Sequence, residues 1–113
     1  MNRRGGPAES LAAAFLERQG LKILERNYRC RFGEIDLVAS SGAALVFVEV
    51  RARASGAFGG AAGSITAAKR RRIVAAARHY LARHRVSRAC RFDVVLIQGR
   101  EPEIEWLTDA FGE

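Results

Sequence analysis

From residue 50 to residue 92 the chain contains no aspartate or glutamate, while eleven Lys or Arg fall in the same stretch. A segment without carboxylates sets up a strong positive field, for which polyanions are the natural partners. The residues before it are almost balanced at +1, and those after it carry −5. Cysteine is also scarce: Cys30 and Cys90 are too few for a disulfide scaffold and lack the spacing of a metal site. A reduced, cytoplasmic chain is therefore expected. Long apolar runs are missing, none exceeding the six residues of Ala43 to Val48, against the ~20 residues that a membrane-spanning helix needs. No membrane association is expected. The charged start, Met1 to Gly6, has no apolar segment behind it and does not read as a signal peptide. Ala54 to Gly63 is glycine-rich but has neither phosphate-loop nor dinucleotide-loop spacing, so no small-molecule cofactor is expected.

What is present suits one compact domain. The chain has 113 residues, 49% hydrophobic and 27% charged, with a formal net charge of +7. No internal repeat or linker divides it. Of its 19 basic residues 17 are Arg, which suits bidentate phosphate contact. A merely soluble basic surface, or an Arg-rich composition inherited from genomic base content, is the plainer account.

The pattern predicts a helix from Pro7 to Gln19, with Ala8, Leu11, Ala12, Phe15 and Leu16 as its buried stripe and Gly20 as its stop. Glu9 lies beside that stripe. Strands are predicted at Leu21–Tyr28, Glu34–Ala39 and Ala44–Arg53, with turns at Arg31-Phe32-Gly33 and Ser40-Ser41-Gly42. The third, Leu-Val-Phe-Val-Glu-Val, is apolar on both faces and reads as a central strand covered on both sides. After the glycine-rich loop, Ser64 or Thr66 caps a second helix running to about His84, with Ile73, Ala76, Ala77, Tyr80 and Leu81 buried. Lys69, Arg70, Arg71 and Arg72 crowd its first turns, the unfavourable end for cations, so an offsetting anion is expected. A fourth strand follows at Arg91–Gln98, a turn at Arg100–Glu103, and a short edge strand at Ile104–Leu107, with Trp106 and Phe111 packing the end. A helix between the third and fourth strands permits a parallel crossover. The fold class is therefore α/β, a mixed sheet with a helix on each side.

Candidate chemistry lies in the central strands. Asp36 interrupts the apolar Ile35-Asp36-Leu37-Val38, and Glu49 and Arg51 share a face of the next strand. Paired about the turn at Ser40–Gly42, Asp36 falls opposite residues 47 to 49. Two carboxylates converging there repel each other, and a hard divalent ion such as Mg²⁺ or Mn²⁺ is the simplest remedy. The plainer reading is a salt-bridge cluster, with Arg51 or Arg53 pairing the acids.

These residues carry a resemblance. Gly33-Glu34-Ile35-Asp36-Leu37 and Phe47-Val48-Glu49-Val50-Arg51-Ala52-Arg53 resemble the YraN-like family of bacterial proteins, related to the Holliday-junction-resolvase branch of the restriction-endonuclease-like fold. Glu9, Asn27-Tyr28-Arg29, Phe58-Gly59, Lys69 and Arg91-Phe92-Asp93 match further landmarks, so the similarity covers nearly the whole chain. It implies a restriction-endonuclease-like domain over residues 1–113 and a metal-dependent DNA nuclease, with branched or otherwise structured DNA as the expected substrate. In that site Asp36, Glu49 and the Val50 carbonyl would ligate the metal. Glu9 would hold it directly, bind a second ion, or bind its water; Glu34 ranks below Asp36.

The general nuclease motif that the resemblance implies, Asp…Glu-x-Lys, has lysine where this chain has Arg51. Lysine can lose a proton when buried and arginine effectively cannot, so Arg51 would orient water or stabilise charge, while Lys69 is a weaker candidate for the missing amine. Phosphates would be held by Arg51, Arg53, Lys69, Arg70, Arg71 and Arg72. Two alternatives stand beside the nuclease: a catalytically inactive nucleic-acid-binding module using the same face, and a scaffold meeting an acidic protein. A homodimer would suit cleavage of a two-fold junction. Asp93 is expected to pair with an arginine, His79 and His84 to lie on the surface or in packing, and Tyr80 and Trp106 to belong to the core.

Overall fold

The computed structural model describes residues 6–53, 65–99, 101 and 103–112. Its elements are α1 (Pro7–Arg18), β1 (Lys22–Cys30), β2 (Gly33–Ser40), β3 (Ala44–Arg53), α2 (Ala67–Arg83), β4 (Ala89–Gln98) and β5 (Glu103–Phe111). The five strands form one sheet in chain order, antiparallel throughout except for the parallel pair β3–β4. A parallel neighbour cannot be reached by a tight turn, and the crossover runs through α2.

Alternation along β3 divides the core into two layers. Leu45 and Phe47 pack with Tyr28, Ile35, Val38, Ile73, Ala77 and Tyr80 beneath α2. Val46 and Val48 pack with Leu37, Ala39, Val95, Ile97 and the α1 residues Ala12, Ala13 and Leu16 on the opposite face. The expected helix–sheet–helix architecture is therefore present, and β3 is the doubly covered strand. On β4, Phe92, Val94 and Leu96 share the α2 face, as their spacing predicts.

Two details differ from the sequence expectation, and an open alternative is settled. Leu11 is 40% exposed, and Ala13 takes its place in the buried stripe of α1. The stripe is built of alanines, so the helix sits close to the sheet and turns Leu11 outward. Of the two proposed caps for α2, Thr66 serves, accepting the Lys69 N–H at 3.1 Å; Ser64 lies outside the described residues. So do the glycine-rich loop, Phe58-Gly59, and Arg100 and Pro102 of the predicted turn.

The second difference is β5, which runs to Phe111 rather than stopping at Leu107. Its pairing with β4 slips between Val94–Leu107 and Phe92–Phe111, and Asp109 there has a left-handed φ of 52°. The buried Asp93 carboxylate holds this bulge. It accepts the Asp109 N–H at 2.8 Å, the Trp106 indole N–H at 2.9 Å, and the Arg91 guanidinium at 3.0–3.2 Å. The expected arginine pairing of Asp93 is thus present, within a fuller set of donors. Phe111 then stacks on Phe92 at 5.2 Å, and Trp106 meets Phe15 of α1 edge-on at 6.0 Å.

Replacing Asp93 strands several buried donors at once. Asp93→Ala is expected to destabilise the fold by about 3–5 kcal/mol, the range for breaking a buried ion pair from one side. Asp93→Asn, which keeps an acceptor, should cost less. Urea denaturation of the two variants checks the order.

Candidate active site

The site begins where β2 and β3 stop pairing. Their register runs from Ser40–Leu45 to Leu37–Val48, so the next positions along it are Asp36 and Glu49. The ladder does not extend to them. Instead, the Val50 N–H donates to Asp36 Oδ2 at 2.8 Å, and a side chain completes what a strand backbone would otherwise satisfy. Alternation in β2 breaks at the same place, because Ile35 and Val38 pack beneath α2 while Leu37 faces α1. The neighbouring strand is irregular there too: Asn27 of β1, opposite Asp36 in the register, has a φ of 55°. Asn is among the few side chains that tolerate this conformation.

Glu49 faces α2 and is 4% exposed. Its Oε2 lies 2.7 Å from Lys69 Nζ and 3.7 Å from Arg51 NH1. Lys69 stands in the first turn of α2, where a cation opposes the helix dipole. Glu49 supplies an internal anion for it. The anion expected from the crowding of cations is therefore partly the protein's own. Arg71 and Arg72 point to solvent, and Arg70 is half-buried with its Nε lacking a hydrogen-bond partner. Arg53 ends β3, but its side chain lies outside the described residues.

Asp36 carries the electrostatic tension. Burial, then repulsion from Glu49, push its carboxyl from the usual carboxylate range up to about 8, against the lowering effect of the Val50 N–H; a hydrogen bond with Glu49 and the more distant charge of Glu9 raise it further. Glu9, in the first turn of α1, has a buried Oε1 with no hydrogen-bond partner. Asp36, Glu49, Lys69 and Arg51 are thus brought together, with Glu9 near enough to be felt.

Among the described residues, no three acidic, histidine or cysteine side chains form a metal-binding group. Two facing carboxylates nevertheless suit a hard divalent ion, because Mg²⁺ commonly takes only one or two carboxylates and fills its remaining positions with water and phosphate. The repulsion within the pair and the unpartnered Glu9 oxygen fit that use.

The histidines serve packing: the His79 ring bonds the Tyr28 hydroxyl through Nδ1, and His84 lies against Tyr80 with ring centroids 4.2 Å apart. The sequence reading missed the Val50 N–H bond to Asp36. The signal available for it was an acid within an apolar strand opposite the position after Val48.

The model of the Uncharacterised protein family UPF0102 matches residues 8–97. The chain belongs to this family. The UPF0102 protein NE0719 of Nitrosomonas europaea is 60% identical over 111 residues, covering 97% of this chain and 94% of that relative. A UPF0102 protein of Methylobacillus flagellatus is 54% identical over 112 residues, covering 98% of both. The resemblance drawn from the Gly33–Leu37 and Phe47–Arg53 segments therefore holds across this UPF0102 chain. No helix among the described residues is long and apolar enough to cross a membrane.

The raised Asp36 pKa has a definite consequence for stability. The fold retains the Asp36 proton more strongly than the unfolded chain, whose carboxyl titrates near 3.8. Stability from this group is therefore complete below about pH 4, falls as pH rises, and levels off near pH 8. Asp36→Asn is expected to remove that decline. In thermal denaturation the variant's advantage should open above pH 4 and stop widening near pH 8, at roughly 4–8 °C for each kcal/mol in a small domain.

Proposed function

We propose that this UPF0102 protein is a metal-dependent nuclease of the restriction-endonuclease-like class, hydrolysing phosphodiester bonds in DNA of branched or otherwise irregular structure. The observation that carries this reading is the convergence of Asp36, Glu49 and the Lys69 amine where β2 and β3 part. The order of elements, with a mixed sheet between two helices, supports the fold assignment.

Asp36, Glu49 and the Val50 carbonyl would hold Mg²⁺ or Mn²⁺. Such an ion, when bound, supplies Lewis acidity at the phosphate and acidifies water. Binding requires an ionised Asp36, so it gives up the proton that burial and Glu49 now hold on it. Lys69 takes the part that the motif assigns to the position of Arg51. Its Nζ, 2.7 Å from Glu49, can orient the attacking water and exchange a proton, whereas the Arg51 guanidinium stays charged and stabilises the developing negative charge. Glu9 is suited to accept a hydrogen bond from water in the site. Arg51, Arg53, Arg70, Arg71 and Arg72 are the phosphate-holding set, and a pair of copies would suit two symmetric cuts.

The second reading is a binding module without cleavage. It is favoured by Arg51 in the lysine position, together with a Lys69 already engaged in an ion pair with Glu49.

Incubation with single-stranded, duplex, flap and four-way-junction DNA in Mg²⁺ or Mn²⁺ tests both. The nuclease reading expects cleavage that Glu49→Gln and Asp36→Asn abolish. It expects Lys69→Ala to lower the rate by about 10²–10⁴-fold, the usual scale for a lost proton-transfer group, with DNA affinity changed only a few-fold. Binding without cleavage on every substrate selects the module. For either, affinity should fall steeply with salt.

A further inference from the structure

The β1–β2 hairpin ends in Arg31-Phe32-Gly33, and its tip borders a recess. A cleft of about 410 Å³ lies between this hairpin and the start of α2, lined among others by Arg29, Arg31, Phe32, Glu34, Lys69 and Arg72. It is continuous with the candidate active site through Lys69, whose amine contacts Glu49. The close fit of its walls depends on Gly33: a Cβ there would stand 3.1 Å from the Arg72 carbonyl oxygen and 3.2 Å from the Arg72 Cβ.

Phe32 is the unusual component. It is 41% exposed, one of only three large apolar side chains so exposed among the described residues. Leaving an aromatic ring in water beside arginines gains nothing for the core. The ring is nonetheless held in place. The His79 ring meets it at 5.9 Å, and His79 is itself fixed by the Tyr28 hydroxyl. The Arg31 guanidinium lies over it, 5.0 Å from its centroid. A supported aromatic–guanidinium platform in a basic cleft is the combination that binds unpaired bases, because every base has a π-face and a neighbouring phosphate. Glu34 is the one acid on the cleft wall and has interactions of its own.

We propose that this cleft is a subsite for one unpaired nucleotide of the DNA substrate. Phe32 stacks on the base, and Arg29, Arg31 and Arg72 hold the flanking phosphates. The adjoining phosphodiester is thereby directed past Lys69 to Asp36 and Glu49. A fully paired duplex keeps its bases stacked inward and cannot use the platform, so the subsite selects DNA with unpaired or displaced bases. The subsite rests on the nuclease reading for its purpose, but its occupancy can be measured without cleavage.

The test uses the full chain in EDTA and a 2-aminopurine reporter placed in a single-stranded flap or within a duplex of equal length. The wild type is expected to change the flap reporter's fluorescence and to bind flap DNA about 5- to 100-fold more tightly than duplex, the scale of one stacked base. Phe32→Ala should lose that preference while duplex affinity stays within about twofold, and Phe32→Tyr should keep it. Matching thermal denaturation of the variants confirms that the fold is intact. An unchanged flap preference in Phe32→Ala overturns the proposal. So does binding of a poly-glutamate peptide, dependent on Phe32, by a chain that leaves the flap reporter unaffected, which would assign the cleft to an acidic protein. Phe32-dependent flap binding without cleavage in Mn²⁺ supports the subsite and removes the nuclease reading. Cleavage insensitive to Phe32 does the reverse.

Discussion

The bond from the Val50 N–H to the Asp36 carboxylate replaces a rung of the sheet, and the candidate site is organised around that replacement. Strands β2 and β3 are held together as far as Leu37–Val48 and then need another partner for their backbone. A carboxylate in that position closes the ladder. It also places Asp36 beside Glu49, so the cost of burying one acid is increased by the other. Lys69 and Arg51 direct their ion pairs to Glu49 and offset its charge. Asp36 meets its situation by holding its proton.

A second buried carboxylate in the same molecule makes the contrast clear. Asp93 is surrounded by donors, from Arg91, Trp106 and the Asp109 backbone, and it fixes the bulge that lets β5 reach Phe111. Its bonding capacity is used in holding the fold. Asp36 has one backbone donor and an acidic neighbour. Saturation marks a structural acid, whereas under-satisfaction and repulsion leave a group with capacity for a ligand. The two differ by context and not by residue type.

Much of the architecture was legible because periodicity reports burial. The Leu-Val-Phe-Val run marked the doubly covered β3, and the Ile73–Tyr80 spacing marked the face of α2 that packs on the sheet. The approach of Asp36 to Glu49 followed from counting back from the turn. The direction of Leu11 was not legible, since helical spacing leaves a wide stripe and alanine packing decides its edge. Nor was the length of β5: a strand continued by a bulge depends on an acceptor from another strand, here Asp93, and its own residues give little sign of it. Lys69 read as one of four crowded cations and as a weaker candidate for the missing amine; its contact with Glu49 came only with the direction of α2 over β3.

The parallel pairing of β3 with β4 has a consequence for the order of assembly. The first three strands are joined by short turns, and local hairpins of that kind form on a scale of about 1–10 μs. The pairing of Ala44 with Ala89 must wait for a far larger loop to close. Both site carboxylates belong to the early, local part, while Lys69 belongs to α2 in the late crossover. The folding chain therefore gathers its negative charges before the amine that neutralises Glu49 is in reach. The paired carboxylates of Asp36 and Glu49 thus also place an electrostatic barrier in the path of the chain's own assembly.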